Sequence, residues 1–184
     1  MDKKEILRYM RTRSTVEDEL LDGLINRVVE EIESTVAPKK IYRIFDCTVE
    51  NDCVKIDGFE FHSSRLAQNM KGCKRVVLMG ATLGTQGDML LRKYASEGAL
   101  LVITQAALAT KIEEVCDEFQ AFIENENGFK TRSRYSPGYF DLDISEQKKI
   151  FELMEITKRC GITLTDTCQM IPTKSVTAFA GIDE

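Results

Sequence analysis

The sequence contains a single histidine, His62, and none of its six cysteines forms a C-x-x-C pair. Zinc and iron–sulfur sites usually show closely spaced ligand pairs, so no metal centre is expected. No triad-like constellation for nucleophilic catalysis stands out either. No basic run occurs and the net charge is −5, which argues against a binder of nucleic-acid phosphates. No apolar stretch approaches the roughly 20 residues of a membrane span, and Met1-Asp2-Lys3-Lys4-Glu5 opens no secretory segment. A cytoplasmic protein with reduced cysteines, several of them small buried hydrophobes, is therefore expected. Internal repeats, low-complexity tracts and flexible linkers are also absent.

What is present is the composition of an ordinary globular chain: 184 residues, 43% hydrophobic and 30% charged. That is enough for one domain, residues 1–184, around a sizeable core. A short helix is expected over 2–11, and a second from Ser14, whose spacing to Glu17 fits a capping box. The second helix carries a 3.6-residue stripe from Leu20 and Leu21 through Ile25, Val28 and Ile32 to Val36, and ends by Pro38. The β-formers of 41–49 and 54–61, the latter broken by Asp57-Gly58, predict strands with a hairpin. Ser63 or Ser64 caps a helix to about Lys71, stopped by Gly72.

Residues 74–82 are a continuous apolar run, the best candidate for a central strand. Gly84-Thr85-Gln86-Gly87 follows, then a helix from about Asp88. Gly80, Gly84 and Gly87 miss the G-x-G-x-x-G spacing, and no Lys-Ser/Thr follows as in a P-loop. The turn reads as packing geometry, not a phosphate cradle. A long helix over 97–124 places Leu108, Ile112, Val115, Cys116, Phe119 and Ile123 on one stripe. Glu113 falls about 100° around the helix from Ile112, at the rim of that face, while Glu114 points away. Residues 125–128 break this helix. A strand over 130–135, a helix over 145–159 closed by Gly161, and a last strand over 175–182 complete the chain. The irregular alternation of helices and short strands lacks the cadence of a doubly wound sheet, and predicts an α+β domain with a mixed or antiparallel sheet.

The densest chemistry lies in Arg134-Tyr135-Ser136-Pro137-Gly138-Tyr139. It sets a permanent cation, a turn and an aromatic within six residues. Arginine presents a planar fork suited to a carboxylate or phosphate, Pro137 fixes its own φ, and Gly138 tolerates backbone geometry closed to other residues. A solvated surface turn is the plain alternative.

This segment, followed by Leu164-Thr165 and Met170-Ile171-Pro172-Thr173-Lys174-Ser175-Val176, resembles the activation domain of vitamin B12-dependent methionine synthase, where an R-x-x-x-G-Y turn precedes a helix and an L-T…M-x-P-x-(K/A)-S-V run leads into a strand. A fainter likeness extends back to about Lys3, through Leu66-Ala67-Gln68 and the apolar run ending at Gly84. The resemblance implies an unusual α+β fold that binds S-adenosylmethionine. It also implies repair of oxidised cobalamin: an external reductant such as a flavodoxin or ferredoxin supplies an electron, and the sulfonium methyl traps the reduced cobalt. The protein supplies orientation and no nucleophile of its own.

Carried over by motif, Arg134 clamps the methionyl carboxylate, Ser136 contacts the ligand through its backbone, and Gly138 keeps the turn open. Tyr139 faces the corrin and is the residue placed nearest the chemistry. Glu113 meets the ligand's ammonium or a ribose hydroxyl, and Lys174 reaches a corrin side chain or phosphate unless it is simply solvated. Pro137, Pro172 and Ser175 shape the bends. Two departures stand out: a tyrosine pair that follows the serine–valine strand in the family has no counterpart before Glu184, and no D-x-H-x-x-G cobalamin motif occurs. The corrinoid is then expected on a partner, a methionine synthase or another corrinoid protein, with this chain as its stand-alone reactivation module. The alternative is a non-catalytic docking or regulatory module that has lost the methyl-donor site.

Overall fold

The computed structural model describes residues 1–12 and 18–183. Its frame is a six-stranded sheet, antiparallel at every pairing, ordered β3-β2-β1-β4-β8-β5. The strands are β1 (Lys39–Glu50), β2 (Cys53–Ile56), β3 (Phe59–His62), β4 (Arg75–Thr82), β5 (Lys130–Thr131) and β8 (Ser175–Asp183). A separate pair, β6 (Thr163–Leu164) and β7 (Met170–Ile171), lies outside it. The expected α+β class is therefore correct, and of the two sheet types allowed the antiparallel one is realised.

Both faces of the central strands are covered, which is why 74–82 reads as unbroken apolar sequence. The period-2 alternation sends Val77, Met79 and Ala81 of β4, with Ala178, Ala180 and Ile182 of β8, into one core. That core is closed by α1 (Lys3–Tyr9), α2 (Glu19–Thr35), α4 (Thr85–Lys93) and α5 (Gly98–Asn127). Val76, Leu78 and Phe179 point to a second core, closed by α3 (Ser64–Asn69), α6 (Gln147–Met154) and α7 (Ile156–Cys160). There Phe179 meets Phe61 edge-to-face, with ring centroids 4.9 Å apart and planes at 77°.

Several boundaries differ from expectation. The proposed Ser14–Glu17 capping box lies outside the described residues; α2 starts at Glu19, where the Asp18 carboxylate accepts from the Leu20 and Leu21 amides. Leu20 is exposed, so the buried stripe begins at Ile25. The α4 helix begins three residues before Asp88, because Gly84 (φ +75°) turns the chain and its amide donates to the Thr82 hydroxyl. Asp88 then accepts from the Thr173 amide, and Gly87 lies against Leu108, so this turn serves packing. The long helix runs through Asn125 to Asn127 and stops at left-handed Gly128. The helix expected over 145–159 is interrupted: Glu155 takes φ +51° between α6 and α7, and Arg159 donates to its carboxylate at 2.8 Å. The strand expected over 130–135 pairs with β8 at Lys130–Thr131, where the Arg132 amide also donates to the Gly181 carbonyl, and again as a bridge from Tyr135 to Phe179.

Candidate functional site

A cavity of about 710 Å³ opens between the C-terminal half of α5, the first residues of β8 and the segment leading from β5 into the Pro137–Gly138 turn. This falls within the range of small-molecule sites. The α5 helix contributes Glu113, Asp117 and Gln120 at i, i+4 and i+7, one face of the helix. Val115, Cys116 and Phe119 on the neighbouring face are buried, which holds the polar row at the rim. Strand β8 contributes Ser175, Val176 and Thr177, and Met170 of β7 also lines the cavity.

Arg134 reaches across to α5. Its Nη2 donates to Asp117 Oδ1 at 2.7 Å and to Glu113 Oε2 at 3.1 Å, and its Nη1 donates to Gln120 Oε1 at 2.8 Å. The Arg134 side chain is only 18% exposed, whereas Asp117 is 71% exposed. Burial opposes the arginine's charge, but the bond to Asp117 and the surrounding negative groups outweigh it and raise the pKa further. Three of five guanidinium donors are engaged by these bonds among the described residues. Beneath this cluster, burial pushes the Cys116 thiol up to about 12 against the pull of Arg134.

The turn after Arg134 is built as its residues suggested. Pro137 is buried, and Gly138 sits at φ +89° with its amide donating to the Leu142 carbonyl at 2.8 Å. A Cβ on Gly138 would stand 3.0 Å from Ile144 Cδ1. The Ser136 carbonyl accepts from the Tyr139 amide at 3.2 Å. Tyr139 and Phe140 are thereby left exposed at the cavity mouth, 60% and 82% respectively.

Asp141 holds this loop to the α3 end of the fold, a role that sequence reading missed. Its carboxylate accepts from the Ser63 and Ser64 hydroxyls at 2.6 and 2.7 Å and from the Ser64 and Arg65 amides, which holds its pKa well below the ordinary carboxylate value. The floor was missed too. Gln147 is buried, donates to the Cys168 carbonyl at 3.2 Å and accepts from the Thr177 hydroxyl at 2.8 Å. Both residues pair with groups far along the chain, so no local signal marks them. Asp117 and Gln120 were legible in principle, because they share Glu113's helical face.

The second motif has mostly a shaping role. The Ile171–Pro172 peptide is cis, and the Ser175 hydroxyl bonds the Pro172 carbonyl at 2.6 Å and the Thr82 hydroxyl at 2.7 Å. Lys174 is not at the cavity: its Nζ lies 3.4 Å from the Gln105 carbonyl on α5, and burial lowers its pKa. Lys174 is thus half-buried, with its amine against the Gln105 carbonyl.

Part of the chain is similar to a known family, and nearly all of it to a known fold. Residues 124–183 match the model of the vitamin B12 dependent methionine synthase activation domain. A crystal structure described as the MetH reactivation domain bound to AdoHcy superposes with a TM-score of 0.70 at 16% identity, covering 95% of this chain and 68% of that one. The chain has the methionine synthase reactivation-domain fold. Its last third, which carries Arg134, the turn and the cis-proline strap, also carries the sequence pattern of the activation-domain family. No curated protein sequence matches the chain. No helix among the described residues is long and apolar enough to cross a membrane.

Proposed function

We propose that the cavity binds S-adenosylmethionine and that the chain supports reductive methylation of Co(II) cobalamin held by a separate methionine synthase. The observation that carries this reading is the arginine–carboxylate cluster on the cavity wall. An amino-acid tail bears one carboxylate and one ammonium, and the wall offers one guanidinium beside two carboxylates. Arg134 takes the carboxylate, and Glu113 takes the ammonium. Ser136 lines the cavity where left-handed Gly138 turns the chain, and Tyr135 and Met170 offer apolar wall to the rest of the ligand.

When bound, S-adenosylmethionine supplies a sulfonium methyl for the partner's cobalt, and an external one-electron reductant such as a flavodoxin or ferredoxin supplies the electron. The protein's own part is positional. Tyr139, exposed at the mouth, is the residue that faces the incoming corrin, and Pro137 fixes the bend beside the opening. No side chain of the cavity has to act as a nucleophile or a metal ligand.

One observation favours a second reading. Arg134 already bonds Glu113, Asp117 and Gln120, so a domain that only docks on a corrinoid protein would also keep this cluster closed. The two readings separate in a reconstitution. The chain is added to a Co(II) cobalamin methionine synthase with reductant and methyl-labelled S-adenosylmethionine. Label appearing on cobalamin only when the chain is present supports the first reading. Binding of the synthase without any label transfer sinks it in favour of the second.

A further inference from the structure

A second cluster lies on the outer face of the β2–β3 hairpin, on the edge strand of the sheet and distant in topology from the cavity strand β8. Cys53 and His62 are directly paired across the two strands, and Glu60 stands two residues before His62 on the same face. Val54 and Phe61, the alternate residues, are fully buried, so this register is fixed from below. The Cys53 sulfur, a His62 ring nitrogen and a Glu60 carboxylate oxygen all lie within 4.8 Å of one another. They border a recess of about 320 Å³ that Glu50, Asn51 and Asp52 complete.

We propose that Cys53, Glu60 and His62 form a three-ligand site for zinc, leaving one position open to water. One thiolate, one imidazole and one carboxylate make a mixed soft and borderline donor set. That set suits Zn²⁺, whereas calcium and magnesium require oxygen alone. Bonds of roughly 2.0–2.3 Å to one ion require the three donor atoms to draw together, which side-chain rotation of exposed Glu60 and His62 allows. The Lys55 ammonium sits 3.6 Å from Glu60 but 3.0 Å from Glu50, so Glu50 retains it when Glu60 turns to the ion. In C-x6-E-x-H the cysteine stands far in sequence from the Glu60–His62 pair, and it is the hairpin that brings the three together. A bound ion would pin the edge strand β3 to β2.

The test is titration of the reduced, metal-stripped protein with Co²⁺ alone. The site predicts a thiolate-to-cobalt charge-transfer band that Zn²⁺ abolishes by displacement, and that is missing in Cys53→Ser. His62→Ala, at an exposed position, should weaken cobalt binding more than about a hundredfold, beyond the usual loss from an outer-shell partner. Absence of a band in the folded wild type overturns the proposal. So does a band that persists in Cys53→Ser, or an unchanged affinity in His62→Ala. The last readout stands even if the cysteine variant misfolds.

Discussion

Arg134 donates to Asp117 at 2.7 Å and to Glu113 at 3.1 Å through the same terminal nitrogen, so two carboxylates share one arm of the cation. Their settings differ: Asp117 is largely exposed, while Glu113 is less so. A ligand carboxylate arriving at Arg134 competes with both, but only Glu113 is proposed to be re-used, for the ligand's ammonium. Asp117→Asn is therefore expected to tighten S-adenosylmethionine binding by up to about fivefold, the scale of a lost exposed ion pair. Glu113→Gln is expected to weaken it. Titration calorimetry on the two variants checks the opposite signs.

Replacing Arg134 with lysine keeps a charge but not the fork. The lysine ammonium is a compact point charge without the planar fork that spans Gln120, Asp117 and a ligand carboxylate in this geometry. The expected outcome is affinity close to that of Arg134→Ala, both reduced by about 2–3 kcal/mol, or roughly 30- to 150-fold. Equal affinity of Arg134→Lys and wild type would show that charge alone matters.

Gly138→Ala should destabilise the fold by about 1–2 kcal/mol, because φ +89° is a left-handed position and the new methyl meets Ile144 at 3.0 Å. Urea denaturation reads this as a lower midpoint with unchanged slope.

Much of the architecture was open to sequence reading because it follows local rules. The doubly buried β4 announced itself as an apolar run, the hairpin by Asp57-Gly58, and the α5 stripe by its 3.6-residue period. The misplaced boundaries are those where distant groups decide: Asp88 reaching Thr173, or Tyr135 pairing with Phe179 in place of a continuous strand. At the cavity, Arg134, the Pro137–Gly138 turn and the rim position of Glu113 were visible from residue type and helical geometry. Asp141 and Gln147 were not, since their partners lie 78 and 30 residues away in sequence. Nothing near Lys174 in sequence reveals that its amine turns to the Gln105 carbonyl.

The Asp141 carboxylate gives the fold a defined acid sensitivity. Its pKa is lowered in the folded state, chiefly by the Ser63 and Ser64 hydroxyls, so the unfolded chain binds the proton more readily. Its stabilisation is thus complete above the unfolded value near 4 and is lost as pH falls below it. Asp141→Asn should flatten the fall in thermal midpoint across that acid range, while lowering the midpoint at neutral pH. A variant whose acid profile matches wild type would remove Asp141 from this role.

Thiol accessibility offers a check on the packing of both cores. Five of the six cysteines are buried, and Cys53 is partly exposed. Native protein should react with a thiol reagent at Cys53 alone, and slowly, because burial and Glu60 raise that thiol's pKa. The other five should appear only on unfolding; early reaction of Cys116 would mean that the layer beneath Arg134 is open.

The most direct test of the central claim is calorimetric titration of the folded chain with S-adenosylmethionine, beside the same experiment on Arg134→Ala. Saturable one-to-one binding by the first, weakened at least about thirtyfold in the second, is the result expected if a guanidinium grips the amino-acid tail. No heat of binding at millimolar ligand, or equal affinity in the two proteins, contradicts it.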